Sequence, residues 1–432
     1  MISCLPQMLD GAAQISFEIL LKRLIQHRLF RNTAALLVMQ VFTYAAPFVA
    51  LPYLTRVLGM EGFGLLIAML SLLVMANVIT DYGFNLSATY IISRKRDKKP
   101  QVSRIISSVY QIKAALFIVS AIGTSLYLHL TTPLSSTAQI AIYATIFFQT
   151  YTSPWLFQGI EKMRLITYFT IASRCTYILL VFLTVKHTDD YDIALTCNAF
   201  AAGIAFAISN ILIVREGYKL KNPPLKLTKY IFKNSSNFFL SRITLQATSS
   251  ISVLLLSYSA DAGQVGLFGA AQKLFQALVG IIQPINQALY PYLAKTKDLE
   301  LFIKFVVAIA LAMILPTAIG IIFAEHILTI AFGRDFAAAA GTLKIYLVTG
   351  YVGVITILMG YPAFATIERI ELANKSVIIA SSVQVAALIA LYTAQQVSPV
   401  NVAISILFTE IITLTLRSVW FYKYTRPSSL KI

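Results

Sequence analysis

The chain has 432 residues, 58% hydrophobic and only 12% charged, with a net charge of +17. Soluble domains hold about 25% charged residues, and here the apolar residues gather in blocks of roughly 20, the length a helix needs to cross a bilayer; an ordinary soluble fold is excluded. The blocks are too long and too uniformly apolar for barrel strands, so the class is an all-α polytopic membrane protein.

Taken in order, the first segment, "ISFEILLKRLIQHRLFR" (Ile15–Arg31), reads as a basic amphipathic helix on the inner membrane surface rather than a cleavable leader. About twelve spans follow, expected at 33–55, 63–82, 110–130, 138–157, 165–185 and 192–214, then 236–258, 264–290, 302–323, 342–366, 374–394 and 400–422. The links alternate in charge. "SRKRDKKPQVSR", Lys162 with Arg164, the central "REGYKLKNPPLKLTKY" and the tail with Arg417, Lys423, Arg426 and Lys431 are basic. "TTPLSST", "KHTDDYD", "SADAGQ" and "AQQVSPVN" are poor in cations. Basic links stay in the cytoplasm, so both termini are expected inside. Orientation thus accounts for most of the positive charge, and no nucleic-acid partner is expected.

The central link divides the chain. The expected organisation is a cytoplasmic segment 1–31, a first six-helix bundle 32–214, a linker 215–233, a second six-helix bundle 234–424 and a cytoplasmic tail 425–432. A shift of 202 residues lays "FRN" (Phe30–Asn32) on "FKN" (Phe232–Asn234), Gly64 on Gly266, Ala68 on Ala270 and Leu72 on Leu274. Each half starts inside and has an even number of spans, which predicts parallel repeats about a pseudo-two-fold axis along the membrane normal, with a cleft between them. That is a transporter architecture.

Polar residues inside spans are costly and normally face a cavity or a partner. Asn77, Asp81, Asn85 and Thr89 are spaced four apart and predict one helical stripe at the cytoplasmic mouth; the alternative is an ordinary solvated helix end. Arg174 lies mid-span, and a structural pair with Glu410 is its bland explanation. Arg242 and Lys273 could instead snorkel to the headgroups. Lys273 heads a face that continues through Gln276, Gly280, Gln283 and Gln287. The excess of cations within the spans favours anionic cargo. Cys4, Cys175 and Cys197 show no disulfide or metal spacing, and no metal, cofactor or catalytic residue is expected.

"LPYLTRVLGMEGFGLL" (Leu51–Leu66), "TDYGFNLSAT" (Thr80–Thr89), "WLFQGIEKM" (Trp155–Met163), "QPINQALYPYLAK" (Gln283–Lys295) and "FGRDF" (Phe332–Phe336) together resemble the bacterial O-antigen and polysaccharide repeat-unit flippases of the Wzx type. Within that family Met8 is an alternative start to Met1. The resemblance implies two six-helix bundles in a V that alternate in access. It implies undecaprenyl-diphosphate-linked oligosaccharide as cargo, turned from the inner to the outer leaflet of the cytoplasmic membrane. Membrane lipid, and a polymerase and chain-length regulator of the same pathway, are the implied partners.

On this reading Arg174, Arg242 and Lys273 hold the diphosphate, because arginine and lysine suit phosphate oxygens. Gln276, Gln283 and Gln287 border the sugars, Asn77 and Asn85 join the substrate-binding wall at the cytoplasmic mouth, and Asp81 and Glu410 carry a coupling proton or sodium ion. An ion-coupled exporter of small molecules on the same fold is the rival. A polymerase needs a large outer loop with catalytic basic residues, and the outer links are short.

Overall fold

The computed structural model describes residues 28–131 and 134–425, with side chains from residue 49 onward except at scattered positions of two helices, among them 242, 246, 283 and 287. The expected segments 1–31 and 425–432 therefore lie almost wholly outside the described residues. The first half comprises α1 (Arg28–Asp81), α2 (Phe84–Ser93), α3 (Lys99–Leu130), α4 (Ser136–Tyr151), α5 (Pro154–Gly159), α6 (Met163–Thr184) and α7 (Tyr191–Arg215). The second comprises α8 (Leu225–Ser259), α9 (Ala262–Thr296), α10 (Leu299–Ile322), α11 (Ala324–Phe332), a 3-10 turn (Arg334–Ala339), α12 (Ala340–Leu358), α13 (Tyr361–Thr366), α14 (Ile370–Thr393) and α15 (Pro399–Thr425). No strand occurs among the described residues.

α1 is two expected spans joined at Gly59, whose φ of 64° and ψ of −171° suit a residue without Cβ. Among the described residues, eight helical stretches are long and apolar enough to cross a membrane, against about twelve spans expected. Of the other four, α4 stops after 16 residues at a break. The remaining three, the first arm of α1, α8 and α9, contain positions whose side chains lie outside the described residues. α8 starts at Leu225, capped by Pro224, so the Pro-Pro pair opens a helix rather than punctuating a free link. α10 exposes Leu311 (63%), Leu315 (67%) and Ile322 (72%). So apolar an outer surface belongs in lipid.

The repeat is written into the contact between the halves. A Cβ added to Gly64 would fall 1.7 Å from the Ala262 carbonyl oxygen, and one added to Gly266 would fall 2.3 Å from that of Met60. Gly64 matches Gly266, and Met60 matches Ala262, under the shift of 202 residues. Gly269 likewise meets Ile67, its own match under that shift. The contact is self-complementary, as a two-fold axis requires. A second signature lies at the opposite end. α5 is followed by Glu161 (φ 59°) and α13 by Glu368 (φ 57°). The first carboxylate pairs with Arg96 and the second with Lys297.

Both ends of the interface are packed. At the end expected outside, Phe63 meets Phe336 edge to face at 5.7 Å, and Arg56 donates to the Ile330 carbonyl at 2.6 Å, capping an orphan carbonyl of α11. At the other end Tyr82 stacks against Phe232 and Phe239, each at 4.7 Å, and the Ser87 and Ser235 hydroxyls share a hydrogen bond of 2.7 Å.

Candidate functional site

The site begins with a missing donor. Pro154 has no N–H, so α4 cannot run on into α5 with a full hydrogen-bond ladder, and the Thr150 carbonyl four residues earlier loses its helical partner. Lys113 of α3, 3% exposed, supplies one: its Nζ donates to that carbonyl at 2.7 Å. The neighbouring Tyr151 carbonyl accepts from the Tyr110 hydroxyl and the Asn210 amide, both at 3.3 Å. Asp81 lies within electrostatic reach of the Lys113 ammonium.

α1 ends at Asp81 because Tyr82 (φ 45°) and Gly83 (φ 77°) leave helical space. Only glycine fits at 83, where a Cβ would lie 2.7 Å from the Phe238 Cβ. The stripe expected on one helix is therefore broken between Asp81 and Asn85. A 2.6 Å bond from Asn85 Nδ2 to Asp81 Oδ1 spans the break. Thr89 does not line the cavity described below; its hydroxyl donates to the carbonyls of Asn85 and Trp155.

Around these groups lies a cavity of about 250 Å³ formed by the first half alone, lined by Asn77, Asp81, Asn85, Lys113, Gln149, Arg174 and Asn198 among others. It adjoins a second chamber of about 470 Å³, with which it shares Asn77, Gln149, Arg174 and Asn198. The larger chamber has an apolar wall from α1, including Leu51, Leu54, Leu66 and Leu70, and a cationic wall of Arg174 and Lys273. Arg174 comes from α6 and Lys273 from α9, so the two halves bring like charges into one space and within electrostatic reach of each other.

The other expected residues divide. Gln276 is exposed and accepts from Lys273 Nζ at 3.3 Å. The side chains of Arg242, Gln283 and Gln287 lie outside the described residues. Glu410 does not pair with Arg174. It sits inside the second half beside Thr356 and Arg417. Arg417, read from the sequence as part of the tail, is 7% exposed within α15 and donates to Ser376 Oγ at 2.8 Å and the Thr356 carbonyl at 2.5 Å.

A family model described as polysaccharide biosynthesis protein matches residues 29–297, more than half of the chain. The chain belongs to that family. Two curated relatives, each called a putative O-antigen transporter, bear out the flippase resemblance. The one from Shigella dysenteriae is 29% identical over 343 residues, covering 76% of this chain and 84% of the relative. The one from Escherichia coli (strain K12) is 29% identical over 336 residues, covering 76% and 78%. Among solved structures, a lipid II flippase MurJ in an inward closed conformation superposes with a TM-score of 0.72 at 14% identity, covering 92% of this chain and 90% of that one. An inward-facing multidrug resistance MATE family transporter gives 0.68 at 13%, covering 92% and 100%. These likenesses establish the fold of this member of the family.

Lys113, Gln149 and Asn198 are site residues that no sequence pattern singles out. The nearest signal lies beside Gln149: a proline interrupting an apolar span marks a broken helix, which inside a membrane is tolerated beside a cavity.

Proposed function

We propose that the protein turns undecaprenyl-diphosphate-linked oligosaccharide from the inner to the outer leaflet of the bacterial cytoplasmic membrane by alternating access of its two halves. The observation that carries this reading is the presence of Arg174 and Lys273, one from each half, in the wall of a single cavity whose α1 side is apolar. Two cations in one low-dielectric space repel unless an anion joins them, and a diphosphate supplies that anion. The apolar wall suits the first carbons of a prenyl chain, whose remainder stays in lipid. Arg242 adds a third cation on this reading, and the α9 face through Gln276, Gln283 and Gln287 borders the outer sugars.

Both termini lie in the cytoplasm, following the basic links. An inward proton or sodium flow drives the cycle, with Asp81 and Glu410 as carriers; each elementary charge crossing 100 mV supplies about 2.3 kcal/mol. A cavity walled by cations does not suit an exporter of cationic drugs.

The test is complementation of a strain lacking its own repeat-unit flippase, scored by surface polysaccharide. The wild-type gene restores it. Arg174→Gln with Lys273→Gln at equal protein level lowers it at least about tenfold, the scale of one or two charge-assisted hydrogen bonds. Undiminished polysaccharide from the double variant would refute the charge trap. Drug export without complementation would favour the rival exporter.

A further inference from the structure

We infer that the 250 Å³ chamber inside the first half is a saccharide subsite that takes the sugar bonded directly to the diphosphate. This rests on the reading proposed above and adds the group that the chamber recognises and the residues that select it. A diphosphate diester has two substituents of opposite character, one prenyl and one glycosyl. Arg174 stands where the two chambers join. A diphosphate held there must send one substituent each way. Beyond the amides it shares with the smaller one, the larger chamber offers Leu51, Leu54, Leu66 and Leu70, with Tyr177 and Lys273 as its other polar groups. The smaller offers Asn85, Gln149, Ser173 and Asn198, neutral groups that both donate and accept, as a ring of sugar hydroxyls requires.

Two further features fit a sugar. Trp155 is fully buried in the chamber wall, and its indole N–H has no hydrogen-bond acceptor among the described residues. At about 250 Å³ the chamber lies just below the ~300–1,000 Å³ of sites for drug-sized ligands, which suits one ring rather than a chain of rings. The first sugar is therefore the one read in the first half, and those beyond it extend toward α9.

The test uses full-length protein in lipid nanodiscs and two kinds of probe: farnesyl diphosphate, and a panel of farnesyl diphospho-hexoses and diphospho-N-acetylhexosamines. At least one glycosylated probe is expected to bind about tenfold tighter than farnesyl diphosphate. Thr170→Val and Ser173→Ala remove hydroxyls that line the smaller chamber only, and Trp155→Phe removes the N–H. Each is expected to cut the glycosylated probe's affinity about tenfold, because a group left without its hydrogen bond is penalised on binding. Affinity for farnesyl diphosphate is expected to stay within about twofold, which also shows that the variants fold. Arg174→Gln is expected to weaken both kinds of probe. A wild-type protein that binds no glycosylated probe better than farnesyl diphosphate overturns the inference alone, as do variants that lose both kinds equally. A wild-type protein that binds neither kind overturns the flippase reading and this inference with it.

Discussion

Lys113 answers two needs with one ammonium: it caps the Thr150 carbonyl, orphaned by Pro154, and it faces Asp81. Lys113→Met keeps the stem and removes the charge. The carbonyl and the carboxylate then lose a charged partner in a buried place, which costs about 2 kcal/mol for a hydrogen bond to a charged group. The unfolding midpoint in detergent is expected to fall by several degrees, and Lys113→Arg to recover part of it. An unchanged midpoint for Lys113→Met would mean the bond carries no net weight. A second residue-scale expectation concerns Asp190, between α6 and α7. The backbone N–H groups of Lys186 and His187 donate to its Oδ2 at 2.7 and 2.8 Å. These bonds, led by that from Lys186, together with the nearby His187, hold its carboxyl below the ordinary 3.8. A depressed folded value stabilises the turn above the unfolded value and loses that contribution as pH falls through the folded one. Hydrogen exchange of the 186–190 amides, referenced to Asp190→Asn, is expected to show protection above about pH 4 that fades below it. Protection equal to the variant's at all pH values would contradict this.

At the scale of elements, the α4–α5 break is the feature on which the chamber depends. Pro154→Ala restores an N–H, and the helix can close its ladder through Thr150 in place of Lys113. Stability is then expected to stay level or rise by about 1 kcal/mol, the net value of a backbone hydrogen bond. Complementation is expected to fall, since the wall carrying Gln149 and Trp155 moves. A variant with full transport and a closed break would show the break to be incidental. Much of this architecture was legible beforehand. Apolar blocks gave the helices, because lipid allows no other use for such runs, and the matched glycines gave the repeat. What was illegible has a common cause. Lys113 and Asn198 are single polar residues in apolar runs, and their meaning comes from neighbours on other helices. Arg417 was assigned to a tail because basic residues follow it, yet α15 runs on to Thr425 and keeps its guanidinium inside. The stripe from Asn77 to Thr89 was read as one helix because spacing alone does not reveal two consecutive left-handed residues at Tyr82 and Gly83.

For the whole molecule, the two ends of the interface are closed by different means, and under the proposed alternating access and orientation, with the Gly64 end outside and the Gly83 end inside, this gives the last expectation its sign. The outer end depends on backbone approach at Gly64 and Gly266, where even a methyl group meets a carbonyl oxygen. The inner end depends on Gly83 passing beneath Phe238 and on Tyr82 stacking with Phe232 and Phe239. Close-packed interfaces of this kind switch between discrete arrangements rather than deform gradually. Gly64→Ala therefore penalises outer closure and shifts the population toward the outward-open form. Gly83→Ala penalises inner closure and shifts it the other way. A strain of about 1–3 kcal/mol for overpacking changes such a two-state ratio by roughly five- to 150-fold. Single cysteines placed in the cavity wall, at Ser173 for instance, report the shift through labelling by an impermeant thiol reagent from each side. Outside labelling is expected to rise in Gly64→Ala and fall in Gly83→Ala, with inside labelling moving oppositely. If both substitutions changed labelling in the same direction, the two contacts would not be opposing gates of one alternating machine.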